Sequence, residues 1–192
     1  MVKVTLFAII LSSIFLSCKP KPHYKSPTVV ELNEVANAFL NADYSELINS
    51  TDSIQNKIIV ASTLSTICLN KQVEDCKINF HDYNDFFSTN QEAVNFTKED
   101  ISYLNFQFLD TTSIFFELSD SSFFELLDAD ELLKKKTSFI RLSKPYFSIN
   151  HNNAFIEKTI VCYDLCGSCT RYFLQKVDGK WEVIDTQLIW IS

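Results

Sequence analysis

Three of the six cysteines in this chain fall within eight residues, in the stretch "CYDLCGSC" from Cys162 to Cys169, and the last two of them form a C-x-x-C. Thiols at this spacing can do three kinds of chemistry. A C-x-x-C at the start of a helix is a redox centre, because the helix dipole and unpaired backbone N–H groups lower the pKa of its first sulfur. Cys166 and Cys169 are instead followed by "TRYFLQKV", which reads as a strand, so no helix is at hand to activate them. Arg171 could still lower a pKa locally, and a strained loop disulfide would be labile. Zinc needs four ligands in a structural site, and Cys162, Cys166 and Cys169 with His151 or His81 would supply them. The spacing matches no zinc-finger pattern, and an exported chain loses such thiols to disulfides before metal arrives, so no metal is expected. The third possibility is a disulfide staple across a β-turn, and it is the reading preferred here.

Other reactive groups are sparse. The histidines are His23, His81 beside Asp82, and His151 in a polar turn. An adjacent His-Asp pair can orient an acid/base imidazole, but neighbours on a polar loop are more often simply solvated. "DADELLKKK" offers Asp128, Asp130 and Glu131 to a cation; acidic residues leading a helix with lysines trailing it are also what the helix dipole favours, which makes this a surface helix end. The chain has no G-x-S-x-G, H-E-x-x-H, phosphate-binding loop or EF-hand series, so no catalytic residue and no cofactor is assigned.

The elements that position these groups start after an export signal. Residues 1–17 have a basic start at Lys3, an apolar run from Val4 to Leu11, then Ile14 to Leu16 and the small Ser17 before Cys18. The run is shorter than the roughly 20 residues of a spanning helix. Residues 18–27 form a tether, with three prolines and three lysines in "KPKPHYKSP" keeping it extended. Four of the 17 basic residues precede Ser26 and none of the 24 acidic ones does, which leaves the body a net charge of about −11. Such a body repels phosphate backbones, so nucleic acid is not an expected partner.

Residues 28–192 are long enough for one core, with 46% hydrophobic content across the chain, and no proline or glycine cluster divides them. One α+β domain is expected. Thr28 and Glu31 form a capping box, and Val29, Leu32, Ala36 and Phe39 recur at helical spacing, with Tyr44, Leu47 and Ile48 carrying the helix toward Asn49. Asp52 and Gln55 can cap a second helix using Ile54, Ile58, Ala61, Leu64 and Cys68, with strand as the alternative because the run is β-branched. A polar loop follows from Asn70 to Asn95. Thr97 and Asp100 cap a short helix carrying Ile101, Leu104 and Phe108. "SIFFEL", "FIRLSKPYFSI", "AFIEKTIVCY" and "FLQKVDGKWEVI" then read as an antiparallel meander. Asp178-Gly179 is a hairpin turn pairing Leu174 with Val183, Lys176 with Trp181, and Phe173 with Ile184. The cysteine segment becomes the preceding hairpin's loop.

"FLSC" at the end of the signal resembles the lipobox of bacterial lipoproteins, with Phe15 where leucine is usual, a relaxation familiar in Bacteroidota. That resemblance implies cleavage before Cys18, acylation of its thiol with palmitate-type chains, and attachment to the membrane without spanning it. With Cys18 lipidated, Cys68, Cys76, Cys162, Cys166 and Cys169 remain, so at most two disulfides form. Cys68 and Cys76 could close the loop between them, and hairpin geometry allows Cys162 to bond Cys169. The last 55 or so residues, with "SKPYFSI", "C…CG", "DGKW" and a terminal "WIS", resemble an uncharacterised group of Bacteroidota envelope proteins. This likeness favours a Cys162–Cys166 bond and carries no activity over to this chain. Lysine and proline after Cys18, in place of the acidic export run of surface lipoproteins, point to the periplasmic side of the outer membrane. Helices followed by a meander with a late "GKW" also resemble the NTF2-like fold, which hosts both enzymes and binding modules. The expected role is a lipid-anchored binding or accessory module whose partners are the membrane and another envelope protein. The alternatives are an NTF2-like hydrolase or isomerase, and a thiol redox protein using Cys166 and Cys169.

Overall fold

The computed structural model describes residues 24–45, 57–65, 96–119, 122–163 and 166–192. The signal, Cys18, most of the tether, Leu47, Ile48, the Asp52 and Gln55 cap, Ile54, Cys68, Cys76, and the pair His81-Asp82 lie outside them. The described residues form an α+β structure with three helices and a mostly antiparallel mixed sheet.

Helix α1 spans Val29–Asp43 and opens on the expected capping box. The Glu31 N–H donates to the Thr28 hydroxyl at 3.2 Å and the Thr28 N–H donates to the Glu31 carboxylate at 2.8 Å, which satisfies two groups that a helix start leaves unpaired. Its buried stripe is Leu32, Val35, Ala36, Phe39 and Leu40. Val29 was expected in that stripe but is 53% exposed and lies outside it. The helix also ends earlier than expected, at Asp43, with Tyr44 as its C-cap.

The second helix is overturned over its described part. Ile58–Ala61 is strand β1 and Thr63–Leu64 is strand β2. The β-branched crowding of "KIIVAST" lowers helix propensity, and pairing with two neighbouring strands decides the matter. Helix α2, Lys98–Phe108, starts as expected where Thr97 donates its N–H to Asp100 at 2.6 Å, and it buries Ile101, Leu104 and Phe108. Beyond it come β3 (Ile114–Phe115), β4 (Phe124–Leu127), helix α3 (Ala129–Lys135), β5 (Phe139–Leu142), β6 (Tyr146–Phe147), β7 (Asn153–Val161), β8 (Gly167–Val177) and β9 (Lys180–Ile191).

The main sheet runs β4-β1-β5-β7-β8-β9, with β6 also paired to β7. The meander of β7, β8 and β9 is antiparallel as expected, whereas β1 lies parallel to both β4 and β5. Thus β4, α3 and β5 make a split crossover with β1 in the gap, and α3 is capped at Asp128 by Glu131 with Lys134 and Lys135 in its last turn. Asp178 and Gly179 both have positive φ, 50° and 80°, the geometry that a two-residue hairpin turn favours. Leu174 faces Val183 and Lys176 faces Trp181 as the turn dictates. Phe173, however, pairs with Asp185 instead of Ile184, because a bulge inserts one residue into β9.

Alternation along the strands sends side chains to two faces. Leu142, Ile156 and Leu174 pack under α1 with Phe39 and Leu40. Phe155 and Phe173 point the other way and meet Leu104 and Phe108 of α2. Leu132 of α3 packs on Ala61 and Leu127 on that second face. Each such fully buried side chain contributes about 1.5–3 kcal/mol. The sheet is therefore sandwiched between α1 on one side and α2 with α3 on the other.

Candidate binding cleft

The cysteine segment resolves first. Cys162 and Cys166 are bonded to each other with their Cα atoms 5.0 Å apart, and the Cys162 N–H donates to the Cys166 carbonyl at 3.0 Å. The bond staples the β7–β8 loop. The alternative link from Cys162 to Cys169 is not made, nor is one between Cys166 and Cys169. Cys169 lies inside β8, 3% exposed, with Sγ 3.8 Å from the Glu157 carboxylate. Burial, with the Glu157 charge beside it, pushes this thiol up to about 11, the reverse of what a redox nucleophile needs. The Arg171 charge pulls the thiol down, but burial and the Glu157 charge outweigh it, and the guanidinium itself is engaged by Glu157 at 2.6 Å and 3.1 Å. His151 sits in the turn before β7, at the far end of that strand from Cys162. Among the described residues no group of three or more His, Cys, Asp or Glu could hold a metal.

A cleft of about 320 Å³ with apolar walls and a few polar groups lies between the start of α1, the end of α2 and the segment before β6. Val29, Leu32, Phe106, Leu109, Ile114 and Tyr146 supply its apolar wall. Ser26 and Pro27, the last residues of the tether, close one side. That segment is fixed by Tyr24, whose ring lies 5.2 Å from Tyr103 and 5.6 Å from Phe106.

Two polar side chains are buried beside this cleft. Lys144 is 3% exposed, and its ammonium donates to the Asp110 carbonyl at 2.6 Å and pairs with the Asp110 carboxylate at 2.9 Å. Burial opposes ionisation of Asp110, but hydrogen bonds from Thr112 and Lys144 outweigh it and hold the carboxyl below its usual range. Gln107, 6% exposed, acts as a surrogate strand edge: its amide donates to the Phe147 carbonyl at 2.8 Å and accepts the Phe147 N–H at 2.9 Å.

A second network ties the same corner together. His151 Nδ1 lies 2.8 Å from Glu31, and Nε2 lies 2.7 Å from the Tyr103 hydroxyl, which also donates to the Lys25 carbonyl at 2.6 Å. Burial works against the Glu31 charge, yet hydrogen bonds from Thr28 and His151 bring its carboxyl down to about 2. An ionised carboxylate only accepts, so Nδ1 must donate to it. The Lys25 carbonyl also only accepts, so it takes the Tyr103 proton. Burial, then the Glu31 charge, pushes the Tyr103 hydroxyl up to about 12.

A third cluster lies under the C-terminal end of α1, where Lys158 pairs with Asp43 at 2.7 Å and stands over the rings of Tyr44 and Tyr172 at 5.5 Å and 5.4 Å. Burial and the Asp43 charge raise the Tyr172 hydroxyl.

Sequence reading found the Thr28 and Glu31 cap but not the second role of Glu31, and it placed His151 with the cysteines when the fold carries it to α1 and α2. Lys144 was hidden inside a strand pattern and Gln107 inside a helix. The signal that could have exposed Asp110 is "DTT", where Thr112 donates both its N–H and its hydroxyl back to the Asp110 carboxylate. Comparison with protein families, curated proteins and solved structures finds no match to this chain.

Proposed function

We propose that this protein is anchored through lipid on Cys18 to the periplasmic side of the outer membrane and works there as a binding or accessory module, without catalysis. The observation that carries the binding half of this reading is the apolar cleft whose wall includes Ser26 and Pro27, at the point where the tether enters the body. Its volume and lining, apolar walls with a few fixed polar groups, are those of a recognition site. A catalytic reading would need a group poised near neutrality. The groups with large shifts move away from it: Glu31 down to about 2, Cys169 up to about 11 and Tyr103 up to about 12. The space between α1 and the sheet, where an NTF2-like hydrolase or isomerase would keep its acid/base pair, is packed with Phe39, Leu40, Leu142, Phe147, Ile156 and Leu174. The anchoring half rests on the lipobox-like "FLSC" and the lysines of the tether, and among the described residues no helix is long and apolar enough to cross a membrane.

The test is to compare the full chain with its Cys18→Ala variant in cells labelled with an alkyne palmitate analogue, then cross-link the intact cells. The expected result is label and membrane fractionation that depend on Cys18, together with a reproducible cross-linked species. An unlabelled chain, or a monomeric profile with no cross-linked species, would overturn the corresponding half.

A further inference from the structure

We infer that the cleft beside Lys144 takes a neutral amphiphile, an acyl chain ending in an ester or amide carbonyl. This rests on the binding-module reading and names the ligand class for that site.

The apolar wall of Leu32, Phe106, Leu109 and Ile114 requires an apolar body on the ligand. The head group is selected by the ion pair. An ammonium has three donors, and Asp110 takes two of those of Lys144 with its carbonyl and carboxylate. Among the described residues the third has no partner, and it is suited to one ligand oxygen. A carboxylate head would place two anions, itself and Asp110, on one ammonium within a body of net charge about −11. A cationic head would meet Lys144 itself. A neutral carbonyl accepts the free N–H with neither cost, since the Lys144 and Asp110 charges already cancel.

The position of the cleft favours a lipid over other neutral ligands. Its wall includes Ser26 and Pro27, and the residues between Cys18 and Tyr24 reach at most about 20 Å when fully extended. A lipid on Cys18 thus keeps Tyr24, whose ring lies 5.6 Å from Phe106 of the cleft wall, within that distance of the bilayer, where acyl esters are abundant. Val29 and Leu109, 53% and 54% exposed, would line the entrance.

The experiment is calorimetric titration of the full chain carrying Cys18→Ser with 1-monodecanoylglycerol below its critical micelle concentration. Decanoate and the blocked peptide acetyl-Val-Leu-amide serve as comparison ligands. The ester should bind at least tenfold more tightly than decanoate. Leu109→Trp, which fills the entrance from a half-exposed position, should lower ester affinity at least tenfold with an unchanged unfolding midpoint, and Lys144→Met, which removes the donor to the ligand carbonyl, should also lower ester affinity. Equal binding of ester and decanoate, retention of ester binding in Leu109→Trp, or binding of the peptide alone would overturn the proposal. A missing ester signal in a protein that still yields a cross-linked protein partner in cells would refute the ligand class while leaving the binding-module reading in place.

Discussion

Replacing Gln107 with leucine should destabilise the protein far more than its single position in α2 suggests. Gln107 satisfies both backbone groups of Phe147, a residue with no exposed surface, through bonds of 2.8 Å and 2.9 Å. Leucine fills nearly the same volume and brings apolar gain, but it orphans a buried N–H and a buried carbonyl. Each orphan costs about 1–3 kcal/mol, and partial relaxation of the short strand β6 offsets some of it, so the expected net loss is about 3 kcal/mol. For a chain of this size that lowers the unfolding midpoint by about 6–12 °C. Urea unfolding followed by tryptophan emission is a suitable assay, because Trp181 stacks edge-on 5.8 Å from Phe147 and reports on the same corner. Gln107→Glu is an informative companion: it keeps an acceptor for the Phe147 N–H but loses the donor, which returns when acid protonates the carboxyl. Its deficit should therefore shrink at low pH. A Gln107→Leu protein within about 0.5 kcal/mol of wild type would refute the reasoning that this clamp holds α2 to the sheet.

Three further expectations follow from individual residues. The Glu31 carboxyl titrates near 2 in the folded chain against 4.5 for a free group, so its ionised form adds stability above about pH 4.5 that is lost as pH falls toward 2; the stability gap between wild type and Glu31→Gln should be constant above pH 5 and close in acid, and a gap independent of pH would contradict this. Cys169, buried and pushed up to about 11, should resist alkylation in the native protein and react only on unfolding, with peptide mapping recovering Cys162 linked to Cys166; native labelling of Cys169, or a Cys162 to Cys169 peptide, would be the contrary result. Gly167→Ala should cost about 1–3 kcal/mol, because a Cβ there would stand 3.0 Å from the Ile160 carbonyl oxygen and 3.2 Å from the Trp190 ring; unchanged stability and Trp190 emission would count against that packing.

What was legible in the sequence was local chemistry. The caps at Thr28 and Thr97, the acidic start and trailing lysines of "DADELLKKK" and the Asp178-Gly179 turn are signals a few residues long, and they mark α1, α2, α3 and the last hairpin where the structure has them. What was not legible depended on partners far along the chain. The segment at Ile58 becomes a strand because β4 and β5 flank it, and no pattern inside the segment announces a parallel neighbour more than 60 residues away. The bulge opposite Phe173 is likewise invisible to simple hairpin counting. The cleft was least legible of all. Lys144 and Asp110 are 34 residues apart, and Glu31 and His151 are 120 apart, so no spacing rule joins them. The cysteine motif, the most conspicuous feature of the sequence, turned out to be a loop staple and a buried thiol.

Binding at the cleft is tested most directly by site-specific photo-cross-linking in intact cells, with benzoylphenylalanine in place of Leu109 at the entrance and, as a control, in place of Leu133, which is 77% exposed on α3. The account predicts one recurring adduct in the membrane fraction from position 109 and none of it from position 133. The same diffuse background at both positions would contradict it.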